Sequence, residues 1–405
     1  MRLALSLAAA TLALSASGCS STVCCAPDPV DLPARALALT QDALVVDTHI
    51  DVPYRLRESP DDVSGPTATG DFDHPRAVAG GLDVAFMSIY IPASYQETGG
   101  ARALADSLLD MVEGIAEAAP DKFAVVRSVD DVERLRRPGR VLFALGMENG
   151  APVEGDLQNL RHFRDRGIRY VTLTHSRDNE ISDSSYDDAG THGGLSDFGR
   201  EVVREMNRLG IMVDVSHVSD AAFDDVLEVT DVPVLATHSS ARHFTPGFER
   251  NLDDDRIRRL AENGGVLQIN FGSTFLLERV QRDRDLLRAQ LADSLEARGL
   301  DRDSEEGAAY AADFNRRNPL RLADMTDVAD HIDHVVDLVG VDYVGLGSDY
   351  DGVGPTLPVG LEDVSTYPNL VAELLRRGYS EEDVRKILGG NTMRVWRAVE
   401  ARAER

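Results

Sequence analysis

The strongest constraint on this chain is an alternation. Short apolar runs of β type recur along its 405 residues, and amphipathic helical stretches separate them. The strand-like runs fall at 45–52, 84–92, 141–149, 170–175, 211–217, 233–239, 266–271 and 343–350. Between them lie segments such as "ARALADSLLDMVEGIAEAA", "FGREVVREMNRLG" and "MTDVADHIDHVVDLVG". Strands that alternate with helices predict a parallel sheet, because each crossover helix must return the chain to the same edge. Eight such units in a chain of this length predict an α/β fold of the (β/α)8, TIM-like barrel type. A doubly wound open sheet is the competing architecture. The charged, helix-prone stretch 276–318 separates the seventh and eighth runs and is too long for a simple connection. It reads as a helical insertion near the barrel mouth, serving as a lid, a subunit contact or a solvated helical surface.

In a barrel the C-terminal ends of the strands converge on one face, where catalytic groups collect. The first run, "VVDTHIDV", ends with His49 and Asp51, two residues apart and so directed to one side. The third ends in Glu148 ("GMENG"), the fourth in His175 ("LTHS"), the fifth in His217 ("DVSH") and the sixth in His238 ("ATHSS"). The eighth delivers Asp349 and Asp351 ("GSDYDG"). So many histidines and carboxylates at equivalent positions predict a metal centre. The three cysteines, Cys19, Cys24 and Cys25, all lie near the N-terminus, so the ligands must be nitrogen and oxygen. Imidazole and carboxylate suit zinc, and also manganese, cobalt or iron. The set exceeds what one catalytic zinc needs, and two divalent ions, expected as Zn2+, use it naturally. His49 and Asp51 would hold one, His217 and His238 the other, with Glu148 between. The only two lysines, Lys122 and Lys386, lie away from the strand ends, so a carbamylated lysine bridge is not expected.

The N-terminus reads as an export signal over residues 1–18: Arg2, an apolar core over 3–14, then "SASGCSS". It resembles the signal of bacterial lipoproteins, which implies a lipid anchor on Cys19. Ala16 departs from that pattern, and ordinary cleavage without lipid is the alternative. Residues 19–36 read as a flexible tether and 37–405 as a single catalytic domain. The expected location is the bacterial cell envelope. The formal net charge of −27 argues against nucleic acid as a partner. Oligomeric state stays open, a homodimer included.

The motifs "DTHIDVP", "GMENG", "LTH", "DVSH", "THSSAR", "RN", "GSDYDGV" and "GGNTMRVW", taken in order, resemble the renal (membrane) dipeptidase family, the zinc dipeptidases of the amidohydrolase-type barrels. The resemblance runs from about residue 44 to 396. It implies that His49 and Asp51 ligate a first metal, Glu148 bridges, and His217 and His238 ligate a second. It also implies that His175 contacts substrate near the reacting carbonyl, Arg250 binds the substrate carboxylate, and Asp349 stands beside the leaving amine. The activity implied is hydrolysis of dipeptides, L,D-dipeptides included, by a solvent molecule activated between two ions. Tyr54 and the long 276–318 segment depart from the family pattern. Two other readings compete: a metal-dependent amidase or lactonase acting on another small carbonyl compound, and a non-catalytic binding lipoprotein of the envelope.

Overall fold

The structure is a computed structural model that describes residues 32–403. The expected export signal, Cys19 and nearly all of the expected tether lie outside those residues. The helix Leu32–Asp42 begins inside the last part of the tether stretch. Among the described residues no helix is long and apolar enough to cross a membrane.

Nine strands follow in chain order: β1 (Val45–Ile50), β2 (Leu82–Tyr90), β3 (Phe123–Val125), β4 (Val141–Glu148), β5 (Ile168–Thr172), β6 (Met212–Asp214), β7 (Leu235–Ser239), β8 (Val266–Ile269) and β9 (Val344–Leu346). Eight of them form a parallel path β1-β2-β4-β5-β6-β7-β8-β9, and β3 pairs with the outer part of β4. The path curls back on itself. Asp349 N–H donates to the His49 carbonyl at 3.0 Å, and Asp51 N–H donates to the Tyr350 carbonyl at 2.9 Å. The result is a nearly closed (β/α)8 barrel, as the alternation predicts. The short strand β3 is an addition that three residues of "FAVV" were too brief to announce.

Two apolar layers hold the barrel. Side chains that alternate along the strands fill its interior: Val46, Val84, Phe86, Leu142, Ala144, Tyr170, Met212, Leu235 and Val266. The C-terminal helix Asn391–Arg402 plugs the lower end with Trp396, Met393 and Val399, all buried. A larger layer lies between the strands and the outer helices. Strands buried on both faces read as continuous apolar runs, which is why they were visible in the sequence.

The insertion between β8 and β9 is helical, as expected. It comprises Ser273–Leu276, Glu278–Arg298 and Glu305–Arg317. The two longer helices carry a small core of their own, Leu291 and Leu295 against Ala311 and Phe314.

Candidate metal centre and active site

Glu148 ends β4 and stands at the middle of the barrel mouth. Its Oε1 lies 3.1 Å from His217 Nε2, 3.2 Å from His238 Nε2 and 3.6 Å from His175 Nε2. Its Oε2 lies 3.5 Å from His49 Nε2, which is itself 3.4 Å from Asp51 Oδ2. Asp349 joins the group, its carboxylate within 4.8 Å of ligand atoms of both His49 and Asp51. Six separate strands, β1, β4, β5, β6, β7 and β9, thus bring together His49, Asp51, Glu148, His175, His217, His238 and Asp349.

Local irregularities aim these side chains. Asp47 points outward, where its carboxylate accepts from the Tyr367 hydroxyl of an outer helix. Strict alternation would send His49 the same way. Instead the β1–β2 register slips between Asp47 and Ile50, and the His49 ring turns inward to Tyr170 and His238. Such bulges re-aim side chains beside active sites. His217 and Asp349 both adopt left-handed backbone, at φ 68° and 64°. Strain of this kind in non-glycine residues clusters at functional sites. Gly146 matters for a different reason: a Cβ there would fall 2.0 Å from the Tyr170 ring, so only glycine lets Tyr170 reach across the barrel to His49.

Outer partners fix the imidazoles. Asp214 Oδ2 accepts from the hydroxyls of Thr172 and Thr237. With its proton committed there, Thr237 Oγ1 accepts from His238 Nδ1 at 2.8 Å. That sets the tautomer and leaves a bare Nε2 lone pair facing Glu148. The Tyr170 hydroxyl lies 2.9 Å from His49 Nδ1 and holds that ring in place. Asp47, Asp214, Tyr170 and Thr237 were not singled out from the sequence. Their signal was an acid or hydroxyl inside an otherwise apolar strand, as in "VVDTH" and "DVSH".

The donor set fits metal ions. His217 Nε2 and His238 Nε2 lie 2.9 Å apart and both face Glu148 Oε1, a convergence of nitrogen and oxygen ligand atoms that suits a cation. The buried His49 Nε2 has no hydrogen-bond partner. Burial, with the charges of Arg250 and neighbouring imidazoles, holds His217 and His238 well below the ordinary histidine range, hence neutral, the form that ligates. Burial works against ionisation of Glu148, yet the surrounding imidazoles hold its pKa well below the usual carboxylate range. Burial and the Asp51 carboxylate push Asp349 up to about 7. Asn270 Nδ2 donates to Asp349 Oδ2 at 2.7 Å and orients it.

The remaining candidates separate cleanly. His175 stacks near Tyr90 and His217, and its Nδ1 has no partner. Arg250 ignores the nearby acidic run. It donates from Nη1 to Ser239 Oγ at 2.7 Å and from Nη2 to the His238 carbonyl at 2.9 Å, and its buried Nε is unpartnered. Asp351 is bound by Arg55 Nε at 2.7 Å and by the Asp71 amide, a turn-building role. His192 donates from Nε2 to the Asn179 carbonyl, and His243 stacks on His334; neither lines the pocket. Lys122 and Lys386 pair elsewhere, with the Ser64 carbonyl and Asp342. A cavity of about 750 Å³ opens above the cluster, walled by Tyr54, Tyr90, Tyr186 and Phe275.

The chain matches the family model for membrane dipeptidase, peptidase family M19, over residues 33–405. It belongs to the membrane dipeptidase family. Relatives of this dipeptidase include dipeptidase tcpJ of Claviceps purpurea, 34% identical over 382 residues, which cover 91% of this chain and 79% of that protein. Dipeptidase 3 of Mus musculus is 32% identical over 375 residues, 90% of this chain and 66% of that one. Among solved structures, the probable dipeptidase PvdM of Pseudomonas aeruginosa superposes with a TM-score of 0.79 at 27% identity, covering 93% of this chain and all of that one. A metallopeptidase of Rhodobacter sphaeroides, liganded with a phosphinate mimic of the dipeptide L-Ala-D-Ala, gives 0.72 at 27% identity, with 88% and 100% covered. The chain is thus a metal-dependent dipeptidase built on a TIM-like barrel.

Proposed function

We propose that the enzyme is binuclear and zinc-dependent and cleaves the peptide bond of dipeptides, L,D-dipeptides among them. The observation that carries this reading is Glu148, whose two oxygens each face imidazole nitrogens from different strands. One carboxylate placed so is suited to span two cations. His49 and Asp51 would hold one, and His217 and His238 the other. When bound, the ions would supply Lewis-acid charge to polarise the scissile carbonyl and acidify the attacking water.

The protein's own groups would do the rest. Asp349, raised toward neutrality and oriented by Asn270, is poised to take the water's proton and pass it to the departing nitrogen. His175 would donate to the oxygen that gains negative charge. Arg250, with a buried donor unspent, would grip the substrate's terminal carboxylate. The acidic wall formed by Asp51 and Asp349 suits the free amino end. Capturing both ends restricts the substrate to two residues. The L-Ala-D-Ala mimic bound by the Rhodobacter sphaeroides relative supports extending the substrate range to D-residues at the second position. We further propose residues 1–18 as an export signal and 19–31 as a tether, with lipid on Cys19 anchoring at the cell envelope a catalytic domain that begins with the helix Leu32–Asp42. Radiolabelled palmitate incorporated by the wild type and lost in Cys19→Ala would support the anchor; equal labelling would remove it.

A panel of L,L- and L,D-dipeptides, assayed with the chelated and zinc-restored enzyme, tests the main reading. Zinc-dependent hydrolysis of dipeptides, with tripeptides spared, is the expected result. Metal uptake without hydrolysis would favour a binding protein. Cleavage confined to lactones or other amides would favour the broader hydrolase reading.

A further inference from the structure

The helical insertion places two guanidinium groups over the reaction pocket. Arg284 and Arg288 sit one turn apart on the helix Glu278–Arg298, and both line the same cavity as Glu148, His175 and Asp349. Most arginines around this acidic chain that meet a carboxylate are held tightly. Arg256 pairs with Asp220, Asp224 and Asp253, and Arg377 with Asp330, Asp333 and Glu373. Arg284 has only its chain neighbour Asp285, at 3.1 Å, and that carboxylate is largely exposed. Arg288 has no hydrogen-bond or ion-pair partner among the described residues. Two uncommitted cations at the mouth of an active site need an explanation.

The pocket is also electrically lopsided. Asp51, Asp349, Asp351 and Glu58 line it, and Arg55 on that side is already bound by Asp351. The insertion supplies Thr274, Phe275, Arg284 and Arg288 to the same lining. Its foot carries Phe275, whose ring lies 5.3 Å from the Arg250 guanidinium. Tyr186 lines the same cavity and packs against Phe248, which packs in turn against Phe275. The positive groups therefore run outward from Arg250 along an aromatic rim to Arg284 and Arg288.

We infer that Arg284 and Arg288 form a subsite for an acidic side chain on the C-terminal residue of the dipeptide. The inference rests on the proposed placement of the substrate's terminal carboxylate on Arg250. With that group fixed, the side chain of the same residue leaves along the Tyr186–Phe275 rim toward the insertion helix. Planar guanidinium groups match a carboxylate in two-pronged fashion, which a hydroxyl or amide side chain does not exploit. The pair also has a kinetic use. A protein of formal charge −27 repels a substrate with two carboxylates, and a local cationic mouth offsets that repulsion during approach.

The test uses the purified, zinc-loaded enzyme and matched dipeptides: Ala-Asp against Ala-Asn and Ala-Glu against Ala-Gln, each with L and D second residues, plus Asp-Ala and Ala-Ala. The expected kcat/KM favours the acidic member of each pair at least tenfold at low salt, and the ratio shrinks as NaCl is added. In Arg284→Gln/Arg288→Gln the ratio should fall to within about threefold of unity. In Arg284→Glu/Arg288→Glu the preference should move to Ala-Lys. Hydrolysis of Ala-Ala with no acidic preference, a ratio unmoved by either double variant, or a preference for Asp-Ala over Ala-Asp would overturn the subsite. Failure to hydrolyse any dipeptide would instead overturn the underlying dipeptidase reading.

Discussion

At the scale of single residues, the site divides into separable jobs that kinetics can pull apart. Asp349→Asn keeps the shape and the Asn270 contact but cannot accept a proton, so kcat should fall about 10²- to 10⁴-fold with metal content intact. An unchanged kcat would strike Asp349 from the proton path. Arg250→Met should raise KM far more than it lowers kcat, and the effect should vanish for a dipeptide amide that lacks the terminal carboxylate. Gly146→Ala forces the Tyr170 ring away from His49, so it should weaken metal retention and cost stability of about 1–3 kcal/mol, read by denaturant melts. His49, Glu148, His175, His217 and His238 were legible in the sequence because each closes a strand-like run. Their supports were not. Asp214 and Thr237 act through hydrogen bonds to side chains on other strands, and no spacing along one strand encodes that relation.

At the scale of elements, the informative features are where regular structure gives way. Alternation explains why His49 and Asp51 were sought together, yet it is the slip in β1 that brings His49 inside. The same view makes Thr237→Val a test of how β6 and β7 hold His238. Loss of that hydroxyl frees the tautomer, and metal affinity measured by competition with a chelator should drop about 10- to 100-fold. A second element-level contact links the insertion to β7. His331, buried on the helix Met325–Val339, accepts from the Ala241 amide at Nδ1 and donates from Nε2 to the Leu276 carbonyl. Burial depresses its pKa to about 4. The unfolded chain takes up this proton near pH 6.5 and the folded one only near 4, so the stability it contributes is intact above 6.5 and is lost as pH falls between those values. The loss is about 3 kcal/mol at most. Urea melts at pH 7.5 and pH 5 should show a smaller drop in His331→Gln than in the wild type; equal drops would refute the assignment. Sequence periodicity found the insertion and its helical character. It could not tell a solvated surface from a pocket wall, because that depends on which face of Glu278–Arg298 meets the barrel.

At the scale of the whole molecule, barrel architecture was legible because buried parallel strands are apolar end to end and because their connections are helical. The edge strand β3 and the closure between β1 and β9 were not, since both rest on a few backbone contacts between distant segments. The net charge of −27 has its own consequence. Like charges repel across the compact state, and salt screens them over about 10 Å at 0.1 M. The melting temperature should therefore rise as NaCl goes from 10 mM toward 0.5 M, and a fall would mean that attractive ion pairs outweigh the repulsion. The proposed chemistry depends on Glu148 joining two cations held by pairs of ligands on either side. Equilibrium dialysis against zinc with elemental analysis, run on the wild type and on Glu148→Ala, measures this directly. Close to two zinc ions per wild-type chain, with both sites weakened together in the variant, is the predicted result. One ion per wild-type chain at saturation, or a variant that retains both with undiminished affinity, would contradict it.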